Sequence, residues 1–275
     1  MAPNSARQIV TVATYELLKY LRGRRLLAIV LLTVIISAIF LVVPRAIGSA
    51  YPRDPKEFVV NMLSFLGILS ILSATFFGAD AIVSEYESKT GYFLFPNPIG
   101  KTAIFLGKFI ASALVSMGAI ELYYLIALVS VRVIDGSIPV NAGLSFAYSL
   151  VYLFAILAVA YLFSAIMRSS VFSLVLTFFT FFLILPIVDG VSSIAKFKPW
   201  FSVTFASGIS QYVFQNPYPT DNVFTETAIR GPSAGPQSVS LAQYYPAIRL
   251  SLVVMAAYFF FAFVLAVVLA RRREM

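Results

Sequence analysis

The feature that most constrains this chain is Leu26–Val43, a run of eighteen residues without a single charge. A helix needs about 20 mostly apolar residues to cross about 30 Å of hydrocarbon, so this run is long enough to span a bilayer. Five further runs are long and apolar enough to do the same, with at most one charge each: Phe58–Val83, Phe109–Val131, Leu144–Met167, Val171–Val188 and Ala247–Ala270. Together they predict an all-α, polytopic membrane protein with six transmembrane helices. Composition agrees: 60% of the residues are hydrophobic and 12% charged, against about 45–50% and about 25% in soluble domains. A water-soluble fold of this size could not hide that surplus of apolar surface.

Six spans put both termini on one side. Of the 20 Lys and Arg residues, twelve fall on that side and eight on the other. The larger set concentrates at span ends, as in Arg22, Arg24 and Arg25, or Arg271, Arg272 and Arg273. The positive-inside rule then places the termini in the cytoplasm, with the protein in the cell membrane. The same clustering accounts for a net charge of +8. These residues act as anchors and meet anionic lipid head groups. They do not form the basic, aromatic-interleaved stripe that nucleic acid would need, so nucleic acid is not an expected partner. The run after Arg25 is too long for a signal-peptide core and lacks a small-residue cleavage site, so it reads as a signal anchor.

Ahead of the first span, Val10, Ala13, Leu17 and Leu21 recur at helical spacing. This predicts an amphipathic helix within residues 1–25, lying in the cytoplasmic interface, with residues 26–275 forming the transmembrane domain. The longest interruption is an outer loop over 189–246. Its stretch 200–214 carries Trp200, Phe201, Phe205, Tyr212 and Phe214. That stretch reads either as a short helix dipping into the outer leaflet or as a packed loop, and 215–240 as a surface loop.

Cys and His are both absent, which excludes disulfides, thiol chemistry, Cys/His metal sites and His-based triads. No carboxylates stand at ligand spacing, so neither catalytic nor metal-binding residues are expected. Gly100-Lys101-Thr102 matches the tail of a phosphate-binding loop, but Phe95 stands where the first glycine would be. The segment also precedes a membrane helix instead of following a strand. The chain therefore carries no nucleotide site of its own.

Within the spans, Glu121 sits near the middle of the third, where an ionised carboxylate costs at least about 2.5–3.5 kcal/mol. It reads as a residue that binds a cation, relays a proton or touches substrate, or as a protonated group that joins helices. Asp80 lies near the cytoplasmic end of the second span and reads as an interfacial residue. Asn61, Ser64, Gly67, Ser70 and Ser73 form a small polar thread along that span. A three-residue step winds around the helix, so the thread marks no single face. Asn61 and Ser64, with Glu121, are the candidates for a substrate path. Gly107 and Ala111, then Ser112 and Ser116, have the small-xxx-small spacing of close helix packing.

The loop between the second and third spans, 84–102, is the most informative segment. It runs from Glu85 and Glu87 through Thr90 into Tyr92, Phe93, Leu94 and Phe95, then Pro98, Ile99 and Lys101. An aromatic knob bounded by charge suggests a protein partner. In Glu85, Glu87, Thr90, Phe93, Leu94, Pro98, Ile99, Lys101, Gly107 and Lys108 the segment resembles the ABC-2 type permeases, membrane subunits of ABC exporters. Lys89 stands where a glycine is usual in that family, and Gly91 where an apolar residue is usual.

The resemblance implies a permease that pairs with a second permease subunit, identical or different, and binds two cytosolic ABC ATPase subunits. ATP and Mg would bind in those partners, and no cofactor would bind this chain. The coupling residues would be Glu85, Glu87, Thr90, Phe93, Leu94, Pro98 and Lys101, and the N-terminal helix would be the connecting helix. The expected cargo is hydrophobic or amphiphilic, moved outward. The rival reading is a secondary transporter or channel with Glu121 as the ion-coupling residue. A membrane-embedded enzyme is disfavoured, because no catalytic set of residues is present.

Overall fold

A computed structural model describes residues 5–52, 54–88, 100–220, 223–229 and 237–272; side chains within 221–242 are not described. It contains six helical segments long and apolar enough to cross a membrane, as the sequence predicts. The segment α1 (Ser5–Leu21) precedes the first span, α2 (Arg24–Ala46). The second span is built from α3 (Pro55–Leu63), α4 (Leu66–Gly78) and α5 (Val83–Glu87). The third is α6 (Lys101–Asp135) and the fourth α7 (Ala142–Ile166). The fifth joins α8 (Ser170–Phe179), a π-helical turn at Thr180–Ile184, and α9 (Leu185–Ile194). Two short helices follow, α10 (Val203–Ser207) and α11 (Ile209–Tyr212). The strands β1 (Val223–Ile229) and β2 (Gln237–Gln243) pair antiparallel, and α12 (Ile248–Arg272) is the sixth span.

Several details depart from the sequence expectation. The first span runs through Pro44 to Ala46 instead of ending at the proline. A proline lacks the N–H for its own helical bond, and membrane helices tolerate this where other groups re-satisfy the backbone. The carbonyl that Pro44 leaves without its helical donor is that of Phe40; the Tyr51 hydroxyl donates to the next one, Leu41. The third span starts at Lys101, eight residues earlier than expected, so Lys108 lies inside the helix and not at its boundary. Segment 200–214 forms helical turns whose Val203, Ala206 and Ile209 are buried against the bundle. Part of the expected surface loop is the β1–β2 hairpin, a small addition to the all-α bundle.

The second span was expected as one helix and is three pieces. At the first break, Ser64 turns its hydroxyl back onto the Asn61 carbonyl at 2.7 Å. At the second, two neighbouring spans supply the missing partners. Ser164 Oγ of α7 accepts from the N–H groups of Ile82 (2.9 Å) and Val83 (3.0 Å). Ser173 of α8 donates to the Ala79 carbonyl. Irregular backbone survives at membrane depth only when protein groups take over its hydrogen bonds, and these serines do so.

The fourth and sixth spans pack along each other, and α1 lies along the start of α6. The main core gathers Phe109, Tyr161, Phe259 and Phe263 between α6, α7 and α12.

Candidate coupling site

At the end of the bundle that carries both termini, α1 meets α6 at Gly107. A Cβ there would come within 2.8 Å of Val12 Cβ and 2.9 Å of the Ile9 carbonyl oxygen, so only glycine admits this approach. The contact brings Glu16 of α1 over Lys108. Lys108 is 2% exposed, and its Nζ donates to Glu16 Oε1 and, at 2.7 Å, to Glu85 Oε1. Lys19 reaches the other Glu16 oxygen at 3.2 Å, giving two cations and two carboxylates in one chain. A buried charge left alone costs several kcal/mol, so Glu16, Lys108 and Glu85 are held in place by one another, with the exposed Lys19 at the rim.

Two further ties, one from α1 and one from the start of α2, hold the same end together. The Tyr20 hydroxyl lies 3.2 Å from both the Phe77 carbonyl oxygen and Ser112 Oγ. Ser112 itself donates to the Phe77 carbonyl at 2.7 Å. Burial pushes the Tyr20 pKa up to about 12. Arg25, just after α1, meets Asp80 at 2.5 Å, so the expected interfacial carboxylate has a specific partner.

The candidate coupling residues divide as follows. Glu85 is buried at 7% exposure and faces Lys108. Glu87 accepts from the Ser170 N–H at 2.8 Å and from the Ser169 hydroxyl at 3.3 Å, capping α8. Such a carboxylate satisfies the orphan amides of a helix N-terminus. Lys101 opens α6 and is half-buried. Thr90, Phe93, Leu94 and Pro98 lie outside the described residues. The last span joins the same end: Tyr86 donates to the Ala270 carbonyl at 3.2 Å, and Arg271 Nε to Thr102 Oγ1 at 2.7 Å.

The substrate-path candidates are not brought together. Glu121 is exposed on the outer surface of the isolated chain, in a stripe with Leu114, Gly118, Leu125 and Val129. Asn61 and Ser64 sit at the first break of the second span, at the opposite end from the termini, and both are exposed. Sequence reasoning missed the pairing of Glu16 with Lys108. The one available signal was a lysine beside a small-residue step, Gly107 and Ala111.

The sequence matches the family described as ABC-2 family transporter protein over residues 10–200. A match of that extent shows the family: the chain belongs to the ABC-2 transporter family, as a multi-pass membrane component of the transport machinery. The matched region takes in α1 from residue 10 onward, the Glu16–Lys108–Glu85 cluster and the first five spans. A comparison with curated proteins gives no match.

Proposed function

We propose that this chain is the permease subunit of an ATP-driven exporter, pairing with a second permease subunit and powered by cytosolic ABC ATPase subunits. ATP and Mg bind in those partners. The termini and the 84–102 loop face the cytoplasm, and the cargo is hydrophobic or amphiphilic. The observation that carries this reading is Lys108, which binds Glu85 at the root of the loop and Glu16 of α1 at once. A displacement of the loop by an ATPase therefore moves α1 and α6 with it, and closure of the ATPase dimer shifts the population of the two permease arrangements.

The position of Glu121 supports pairing with a second permease. A carboxylate in a lipid-facing apolar stripe is costly, and a second subunit seated on that stripe removes it from hydrocarbon. The same exposure disfavours a solitary secondary transporter, whose coupling carboxylate would face its own interior.

The experiment is purification of the native complex in mild detergent, with ATP hydrolysis and transport measured in reconstituted vesicles. An ATPase that co-purifies, and is lost in Phe93→Asp/Leu94→Asp, is the expected result. Transport driven by an ion gradient without ATP, or intact assembly and transport in that double variant, would overturn it.

A further inference from the structure

At the end of the bundle away from the termini, α10 and α11 fold over α4 and α7 and enclose a cavity of about 310 Å³. No charged side chain lines it among the described residues. Beside Leu66, Phe205 and Pro246, its polar wall is built of hydroxyls and one amide, and the direction of their protons is informative. Ser64 donates to the Asn61 carbonyl (2.7 Å), Ser207 to that of Thr204 (2.6 Å) and Ser210 to that of Ser207 (2.9 Å). Gln211 donates through Nε2 to the Leu63 carbonyl at 3.3 Å. A hydroxyl has one proton and two lone pairs. With these protons committed to backbone carbonyls, the serines face the cavity with acceptor lone pairs, while Gln211 keeps a second N–H and Tyr152, Tyr212 and Tyr244 keep hydroxyls of their own.

A carboxylate stands behind that wall. Thr204 donates to Asp189 Oδ2 at 2.5 Å, and because that uses its only proton, Ser202 is the donor in their 2.8 Å contact. The other oxygen, Asp189 Oδ1, is buried and has no hydrogen-bond partner among the described residues. The cavity thus combines acceptor lone pairs, a nearby negative charge and no cation. Tyr152, Tyr212 and Tyr244 add aromatic surface, which also attracts cations.

We propose that this cavity is a binding site for an organic ammonium group, carried by an amphiphile or by a lipid head group. Aromatic faces, hydroxyl lone pairs and a carboxylate one hydroxyl away from the wall reward a cation that brings its own N–H groups. The volume is at the lower end of small-ligand sites, enough for a head group but not a long tail. The site lies within one chain and stands whether or not an ATPase drives the protein.

Trp200, the sole tryptophan, precedes α10 by three residues and serves as a fluorescence reporter. The full chain in phosphatidylcholine vesicles is titrated with hexylamine, hexanol and hexanoate, which share one tail. Saturable binding of hexylamine at least about tenfold tighter than the other two is expected, with Asp189→Asn and Gln211→Met each weakening it about tenfold. Thermal unfolding of each variant shows whether it has kept its fold, and Gln211→Met carries the test if Asp189→Asn does not. Replacing half of the phosphatidylcholine by phosphatidylethanolamine competes with hexylamine if the occupant is a lipid head group, and leaves it unchanged if it is a free amphiphile. Equal binding of hexanol or hexanoate, or unchanged affinity in folded variants, overturns the proposal.

Discussion

Gly107 and Val12 approach so closely that a methyl group on the first would sit 2.8 Å from Cβ of the second. The glycine is thus the seat of α1 on α6, and everything α1 brings to the cluster depends on it. Gly107→Val should lower stability by about 1–3 kcal/mol, the usual cost of overpacking, and speed tryptic cleavage at Arg7 and Lys19. Gly143→Val is the matched control, because nothing lies within 4 Å of a Cβ there and it is outside the Glu121 stripe. Equal behaviour of the two variants would refute the seat.

Lys108→Met leaves Glu16 and Glu85 facing each other across a buried site with no cation between them. Removing one partner of a buried pair costs about 3–5 kcal/mol, whereas removing the whole set is often near neutral. The triple variant Glu16→Gln/Lys108→Met/Glu85→Gln should therefore unfold at a higher temperature than Lys108→Met alone. A triple variant less stable than the single one would contradict this account. Loss of transport in a stable triple variant would separate coupling from folding.

Ser164 accepts from two adjacent N–H groups, so Ser164→Ala leaves both without a partner at membrane depth. Each unmet buried donor costs about 1–3 kcal/mol. Hydrogen exchange at Ile82 and Val83 should accelerate, while amides within α6 keep their protection. Unchanged exchange at both sites would show that other groups satisfy this break.

Tyr20 gives an alkaline signature. Its folded pKa is raised to about 12 by burial, above the ordinary value of 10.0. The folded chain keeps the phenol proton where the unfolded chain releases it, so stability is intact below pH 10 and falls between about 10 and 12. The loss, at about 1.4 kcal/mol per unit of pKa difference, totals roughly 2–3 kcal/mol. Tyr20→Phe should flatten that part of the stability–pH curve relative to the wild type, and an unchanged slope would assign it to other groups.

The number of spans was legible in the sequence because apolar length is a local property that each run carries by itself. The breaks in the second span were not, since Ile82 and Ala79 find their partners 82 and 94 residues away, in Ser164 and Ser173. Lys108 misled for a related reason. A lysine near a span's start reads as an anchor in the head groups, and only the fold brings up Glu16, 92 residues distant, to bury it. In the hairpin, Val223, Thr225, Thr227 and Ile229 alternate with a two-residue period, but the surrounding Pro and Gly outweighed that pattern. Asp189 falls at the start of the expected outer loop, just past Pro186 and the expected end of the fifth span at Val188. The π-helical turn at Thr180–Ile184 instead lets the helix pass the proline and continue to Ile194.

The second and third spans meet the same loop with opposite mechanical character. At about 1.5 Å per residue, the 35 residues of α6 make an unbroken rod of roughly 52 Å, far longer than the hydrocarbon it crosses. Its partner is articulated at two places. Thrust applied at the shared loop would be carried whole along the rod, while the strut beside it is jointed at Ser64 and again between Gly78 and Val83. If an ATPase docks there as proposed, a single stroke at that point would translate one helix and re-aim the other.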